Sequence, residues 1–149
     1  MQQAYSLLGI QVNPLTIPQL NALIANAVQL GDRRIIANHN LHSIYLYHHD
    51  AKMRSFFAKA HYTHIDGMAL VLVGRLLGYP LKRDHRVTYV DWTAPLMAEA
   101  AQQGWRIFYL GGKPGVAEKG AKILQQRFPG LEIVTADGYF AVSYTHLTL

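Results

Sequence analysis

Short apolar runs and longer amphipathic segments alternate along the chain. Five runs are typical of strands, at residues 5–12, 34–37, 61–65, 105–110 and 131–136. Two of them, 34–37 and 105–110, have the composition of buried strands, and 105–110 is the clearest. Between them lie segments with the apolar spacing of helices, at residues 16–31, 43–59, 67–77, 93–104 and 116–128. This alternation predicts an α/β fold, with a Rossmann-like, mainly parallel sheet flanked by helices.

Capping signals predict where individual helices begin and end. Thr16 can cap the first helix, with Pro18 in its first turn, and Gly31 can end it. Thr93, followed by Pro95, predicts the start of a later helix. Residues 87–91, which precede Thr93, are typical of a strand-like segment.

Composition indicates one globular core. The chain has 149 residues, of which 50% are hydrophobic and 15% charged, and this excludes a disordered protein. The absence of cysteine excludes disulfides and thiolate metal sites and fits a cytoplasmic setting. The net charge of +5 favours an anionic partner, such as a phosphate, a nucleic acid or an acidic membrane surface.

No membrane-spanning or targeting segment is expected from the pattern. The longest apolar stretch, residues 68–81, is interrupted by Arg75 and is shorter than the roughly 20 residues of a membrane span. The first three residues, Met1 to Gln3, do not form a basic segment leading an apolar run, so we expect no signal peptide.

Asp66 is the first candidate for chemistry, because it follows a predicted strand and precedes Gly67 and an apolar helix. Open α/β sheets bind ligands at the carboxyl ends of their strands. Asp66 could act there as a catalyst or cap the helix that follows, and its sequence context alone favours neither role. The polar residues 38–43 follow the preceding parallel strand, so we expect them to face Asp66 across a cleft.

A glycine-rich turn, residues 111–115, joins the strand at 105–110 to a helix. Its amides and the helix N-terminus could hold a diphosphate, with Lys113 adding a charge. The spacing differs from the dinucleotide fingerprint, because Tyr109 stands where the first glycine would fall. The alternative is a tight structural turn, and both interpretations remain open.

Histidine pairs and a basic loop suggest two weaker site hypotheses. His61 and His64 would point to opposite faces of a strand, and His39 and His42 lack an evident third ligand, so we expect no metal ion. The basic residues 82–86 are typical of a solvated loop, and Arg86 is the best candidate for a phosphate clamp.

Six short motifs, taken in order, resemble one protein family. They are residues 38–43 (NHNLHS), 65–67 (IDG), 86–91 (RVTYVD), 110–117 (LGGKPGVA), 128–130 (FPG) and 137–140 (DGYF). Together they resemble the bacterial WecG/TagA/CpsF glycosyltransferases over about residues 5–140.

The resemblance implies an inverting enzyme without a cofactor. Such enzymes transfer an N-acetylhexosamine-type sugar, N-acetylmannosamine or its uronic acid, from a UDP donor to a polyprenyl-diphosphate-linked saccharide. Their products enter teichoic acid, enterobacterial common antigen, capsule or exopolysaccharide. This implies a cytoplasmic protein, peripheral to the inner face of the cell membrane, that does not bind nucleic acid. The resemblance does not determine whether the protein forms a homo-oligomer.

The resemblance also implies roles for individual residues. Asp66 would be the catalytic base. The residues implied to bind the sugar substrates are Asn38, Asn40, Ser43, Arg86 and Asp91. Those implied to bind the nucleotide or diphosphate are Gly111, Gly112, Lys113, Gly115 and Tyr139. The family commonly has threonine at the position of Asn38, and Asp91 could equally cap the next helix.

The end of the chain departs from the family pattern. Members continue beyond the DGYF motif, whereas residues 142–149 match nothing in that pattern and resemble translated adapter sequence. We therefore expect residues 1–141 to be the N-terminal portion of a single glycosyltransferase domain, with a non-native tail at 142–149 and little or no activity in this chain.

Two other classes of function remain as alternatives. A Rossmann-type nucleotide-dependent oxidoreductase or epimerase would use the turn at residues 111–115. A basic nucleic-acid-binding module would show strongly salt-dependent binding.

Overall fold

The computed structural model describes residues 3–139. Within them, six strands run at β1 (Tyr5–Leu7), β2 (Ile10–Val12), β3 (Ile36–His39), β4 (Tyr62–Ile65), β5 (Arg106–Leu110) and β6 (Glu132–Ala136). The helices there are α1 (Ile17–Leu30), α2 (Leu41–His49), α3 (Ala51–Phe57), α4 (Met68–Leu76), α5 (Tyr89–Gln103) and α6 (Val116–Arg127), with a 3₁₀ turn at Arg83–His85. The predicted α/β class is confirmed, with parallel strand pairs in small sheets compatible with a Rossmann-like fold.

The chain divides into two compact units, and the boundary falls after Trp92, inside α5. None of the helices within residues 3–139 is long and apolar enough to cross a membrane.

The first unit begins with a β-hairpin where the sequence predicted one strand over residues 5–12. Tyr5 pairs with Val12 in the antiparallel strands β1 and β2. Leu8 and Gly9 form the turn with φ of 48° and 78°, the positive values that tight hairpin turns require. The prediction of a continuous strand was wrong because a Leu-Gly pair is a weak turn signal.

Strands β3 and β4 form the parallel pair that carries the candidate site. Asn38 is in register with His64, and His39 with Ile65. The segment at Arg86 runs parallel on the other side of β4, where the Val87 amide donates to the Ile65 carbonyl at 2.8 Å. The predicted strand at 34–37 is therefore real but begins two residues later, at Ile36.

Helix ends follow the predicted caps in one case and depart from them in another. Thr16 caps α1, and Gly31 ends it in the left-handed conformation, as predicted. The single helix predicted over residues 43–59 is instead two helices. Asp50 separates them, because its extended backbone ends α2 and its side chain accepts a hydrogen bond from the Lys52 amide to begin α3.

Helix α5 begins at Tyr89, earlier than predicted. The sequence placed a strand-like segment over 87–91 and a helix start at Thr93, and both predictions were wrong. The Thr88 hydroxyl instead accepts a hydrogen bond from the Asp91 amide, and Pro95 lies inside the helix. A threonine three residues before an acid is a capping pattern, and here it overrides the extended preference of Val87 and Val90.

Each unit has its own apolar core. In the first, buried side chains from the hairpin, α2, β4, α4 and the loop after α4 pack together: Tyr5, Leu7, Ile10, Val12, Ile44, Ile65, Leu70, Val71 and Leu81. In the second, α5 packs through Met97 and Ala100 against Leu131 beside the parallel pair β5–β6. Strand β5 was predicted to be the clearest buried strand, but Phe108 is 65% exposed. The expectation of burial was wrong for that strand.

Candidate active site

Asp66 lies at the carboxyl edge of the β3–β4 pair. Its amide donates to the His39 carbonyl at 2.8 Å, which continues the parallel ladder one residue beyond β4. The chain then turns at Gly67, whose φ of 125° is a conformation that other residues rarely adopt. The Asp66 side chain is half-buried at this turn.

The Asp66 carboxylate does not cap α4. The N-cap residue is Gly67, and no side chain makes a capping hydrogen bond there. Among residues 3–139, no hydrogen bond or ion pair to the Asp66 carboxylate is formed. Of the two roles that the sequence left open for Asp66, capping is thus the one that the structure contradicts.

Asn38, His64 and Asp66 share one face of the β3–β4 pair. Asn38 and His64 are register partners, and Asp66 lies two residues beyond His64, so their side chains point to the same side. There the Asn38 side-chain amide donates to the Tyr89 hydroxyl at 2.9 Å. The Tyr89 ring meets the His64 ring edge-on, with 6.3 Å between centroids.

Asn40 and Ser43 form the cap of α2. The Asn40 side-chain oxygen accepts from the Ser43 amide, and the Ser43 hydroxyl oxygen accepts from the Asn40 amide, both at 2.9 Å. The Ser43 hydroxyl also meets His39 Nδ1 at 2.9 Å. Both residues were predicted to bind sugar, and their observed contacts are structural. The Asn40 amide NH₂ makes no hydrogen bond within residues 3–139.

Arg86 and Asp91 form an ion pair beside the end of β4. Arg86 Nη2 lies 2.7 Å from Asp91 Oδ2, and the Thr88 hydroxyl donates to the same oxygen at 2.9 Å. Asp91 is inside the first turn of α5 and was predicted to bind sugar or cap the helix. Its carboxylate orients Arg86, whose side chain is 29% exposed and has further N–H donors for an anion, and sugar binding by Asp91 stays a prediction.

His64 and Tyr89 belong to this constellation and were not predicted from the sequence. Burial lowers the pKa of His64, and the backbone of Ile65, the nearby Asp66 carboxylate and the backbone of Val87 oppose the shift in part. His64 is therefore neutral near pH 7, and it forms no ion pair with Asp66. The available signal was the period of two along β4, which puts His64 on the same face as Asp66.

The histidines do not supply a metal site in the described part of the chain. His39 stacks on Phe57 with 3.8 Å between ring centroids, and His61 Nδ1 accepts from the Ile35 amide. Within residues 3–139, no three His, Asp or Glu side chains lie together as metal ligands.

In the second unit, the glycine-rich turn is held largely by its own chain. The Gly111 amide donates to the Ala136 carbonyl, and the Gly115 amide donates to the Asp137 carboxylate at 3.1 Å. A carboxylate of the protein thus occupies the N-terminus of α6, where a ligand phosphate was predicted to bind. Within residues 3–139, the amides of Gly112 and Lys113 make no hydrogen bond. Tyr139, predicted to bind the nucleotide, is exposed.

We expect Gly138→Ala to destabilise the protein because Gly138 packs against the glycine turn. A Cβ there would lie 2.8 Å from Gly111 Cα and 3.0 Å from the Gly112 nitrogen, so backbone atoms must move. We expect a loss of about 1–3 kcal/mol in the free energy of unfolding, measured by urea denaturation.

The matched control is Gly120→Ala, in the interior of α6, where an added Cβ meets nothing within 4 Å. That variant should gain about 0.5–1 kcal/mol. Equal stabilities of the two variants would contradict the close packing of Gly138.

Comparison with known protein families gives one match that covers most of the chain. The model of the glycosyl transferase WecG/TagA/CpsF family matches residues 5–146. The matched range includes the Asp66 edge, the Arg86–Asp91 pair and the glycine-rich turn.

Proposed function

The chain belongs to the glycosyl transferase WecG/TagA/CpsF family, and from that premise we propose that it transfers an N-acetylhexosamine-type sugar from a UDP donor to a polyprenyl-diphosphate-linked saccharide. The donor sugar in this proposal is N-acetylmannosamine or its uronic acid, and the product enters a cell-surface polysaccharide. Because the acceptor is lipid-linked, the reaction takes place at the cytoplasmic face of the membrane.

One observation carries the proposal: a half-buried carboxylate without a hydrogen-bond partner among the described residues, at the carboxyl edge of a parallel strand pair. Inversion requires the acceptor hydroxyl to attack the anomeric carbon from the face opposite UDP. Asp66 takes the proton of that hydroxyl as the new glycosidic bond forms, and UDP leaves with the electrons of the broken bond. A carboxylate engaged as a helix cap would be less available for this task.

Charged and polar groups beside Asp66 supply binding. Arg86 uses one N–H on Asp91, and its other donors can neutralise a diphosphate oxygen. The Asn40 amide NH₂ and the Asn38–Tyr89 pair can hydrogen-bond sugar hydroxyls.

In the second unit, the Gly112 and Lys113 amides and the Lys113 ammonium are the groups of the glycine-rich turn that can bind a diphosphate.

The test is an assay of donor choice and product stereochemistry with the full-length protein. A polyprenyl-diphosphate N-acetylglucosamine acceptor is incubated with UDP-N-acetylmannosamine, its uronic acid, UDP-N-acetylglucosamine or UDP-glucose. We expect transfer from one of the first two donors, and an inverted anomeric linkage by NMR. A retained linkage, or transfer from UDP-glucose alone, would contradict the proposal.

A further inference from the structure

His64 is a fully buried imidazole that the fold leaves without a hydrogen-bond partner. It is 1% exposed, and neither Nδ1 nor Nε2 makes a hydrogen bond of full geometry within residues 3–139, although the backbone of Ile65 and Val87 lies close enough to the ring to raise its pKa. It is the one buried side chain in that range with such unpaired polar atoms. Most buried polar groups in folded proteins are paired, so an orphaned imidazole points to a role beyond packing.

The surroundings hold the His64 ring in place through aromatic contacts. The rings of Tyr89 and Trp92 in α5 meet it edge-on, with centroids at 6.3 Å and 5.4 Å. Trp92 is itself fixed, because its indole N–H donates to the Asn21 side-chain oxygen at 2.8 Å. The imidazole is thus oriented by rings that use neither of its nitrogen atoms.

Asp66 lies on the same face of the strand pair, two residues from His64, and its carboxylate lacks a hydrogen-bond donor within residues 3–139. The Asp66 carboxylate nevertheless raises the pKa of His64, against the effect of burial. A buried imidazole without a full hydrogen bond and a carboxylate without a donor therefore lie two residues apart on one face of the strand pair.

We propose that His64 is a positioning residue for Asp66: in the substrate complex its imidazole N–H donates to one carboxylate oxygen and leaves the other oxygen to take the acceptor proton. This inference rests on the proposed function, in which Asp66 is the base. The transferred proton goes from the acceptor hydroxyl to Asp66, and His64 keeps its own proton throughout.

Burial favours the neutral imidazole that this role requires. A neutral ring carries one N–H donor and one acceptor nitrogen, so it can orient the carboxylate without forming an ion pair. A cation in the same place would hold Asp66 ionised too strongly for it to take a proton. The titratable groups that face the ring are Asp66, from the end of β4, and Tyr89, from α5.

The first test compares His64→Leu with the wild type in the full-length protein. We expect kcat to fall roughly 10- to 100-fold, the effect of losing a hydrogen bond to a charged group, with KM almost unchanged. The unfolding midpoint should stay the same or rise, because leucine removes unpaired polar atoms from the interior. A rise in KM with unchanged kcat, or wild-type kinetics, would overturn the proposal.

Two conservative variants carry the test if His64→Leu does not fold. Asparagine places an amide near the position of Nδ1, and glutamine places one near Nε2. Only one of them can present N–H to Asp66, so one should retain most of kcat and the other should lose it. Full activity in both, or loss in both, would be evidence against positioning.

Asp66→Asn, assayed in parallel, separates the inference from the function on which it rests. If Asp66→Asn is inactive and His64→Leu has wild-type kcat, the assignment of Asp66 as the base holds and the positioning role of His64 is wrong. If Asp66→Asn is active, the assignment of the base is wrong and the positioning role is wrong with it.

Discussion

Asp66→Asn is expected to lower kcat for sugar transfer by roughly 10²–10⁴-fold, because it removes the group that takes the acceptor proton. Asparagine has nearly the same shape as aspartate but cannot act as a base near neutral pH. The main-chain hydrogen bond from residue 66 to the His39 carbonyl is independent of the side chain. KM for both substrates should therefore change little.

Stability separates this loss of chemistry from a loss of fold. Because the Asp66 carboxylate makes no hydrogen bond within residues 3–139, its removal should leave the thermal unfolding midpoint unchanged. The matched control is Asp84→Asn, which neutralises an exposed carboxylate in the 3₁₀ turn Arg83–His85 and should keep wild-type rates. Rates in Asp66→Asn equal to those of the wild type would remove Asp66 from the catalytic role.

The parts of the fold that depend on one dominant local signal were predictable from the sequence. The short run of β4 and the Asp66–Gly67 pair that ends it predicted the carboxyl edge of a parallel strand, because aromatic and β-branched residues favour strands and glycine permits the positive φ of the turn. Thr16 and Gly31 likewise fix the ends of α1. Where one local signal dominates in this way, the position and type of the element can be predicted from the sequence.

The parts decided by competition between signals were not predictable. Val87 and Val90 favour an extended chain, yet only one bridge at Arg86 forms before the Thr88 cap starts α5. Asp50 could equally have been a solvated residue inside one long helix. In both cases a single side-chain hydrogen bond determines where a helix begins, and the spacing of apolar residues does not predict that bond.

The roles of side chains in the candidate site are also hard to predict from the sequence, because one residue type can serve several purposes. The family resemblance implies that Asn40, Ser43 and Asp91 bind substrate, which stays a prediction, and side chains of these types also cap helices and hold ion pairs. The structure shows those local contacts. Conversely, His64 looked like an ordinary strand residue, and only its burial without hydrogen-bond partners within residues 3–139 singles it out.

The glycine-rich turn illustrates how a local acid can take the place of a ligand. A helix N-terminus attracts anions, and at α6 the Asp137 carboxylate accepts from the Gly115 amide. A diphosphate at this turn must use the Gly112 and Lys113 amides or displace Asp137. The sequence pattern could not distinguish these outcomes, because residue 137 is distant in the chain from the turn that it closes.

Acid is expected to destabilise the protein as pH falls from about 6.5 to 4, and His39 is the main cause. The ring is 1% exposed and stacked on Phe57, and burial, with a smaller electrostatic contribution from the nearby His48, lowers the pKa of His39 to about 4. The unfolded chain takes up this proton near pH 6.5, whereas the folded chain does so near pH 4. Between these values protons favour unfolding, by about 1.4 kcal/mol per pH unit, or roughly 3 kcal/mol in total.

Urea denaturation at a series of pH values between 7 and 4, followed by circular dichroism, measures this slope. His39→Asn keeps a polar partner for Ser43 but does not titrate, so its stability should fall less steeply with acid, although it is lower at pH 7 because the stacking on Phe57 is lost. His64, whose pKa burial also lowers, leaves a residual slope of the same sign. His42→Asn, which removes an exposed imidazole from α2, should retain the wild-type slope. Equal slopes in His39→Asn and the wild type would show that the buried imidazole does not control acid stability.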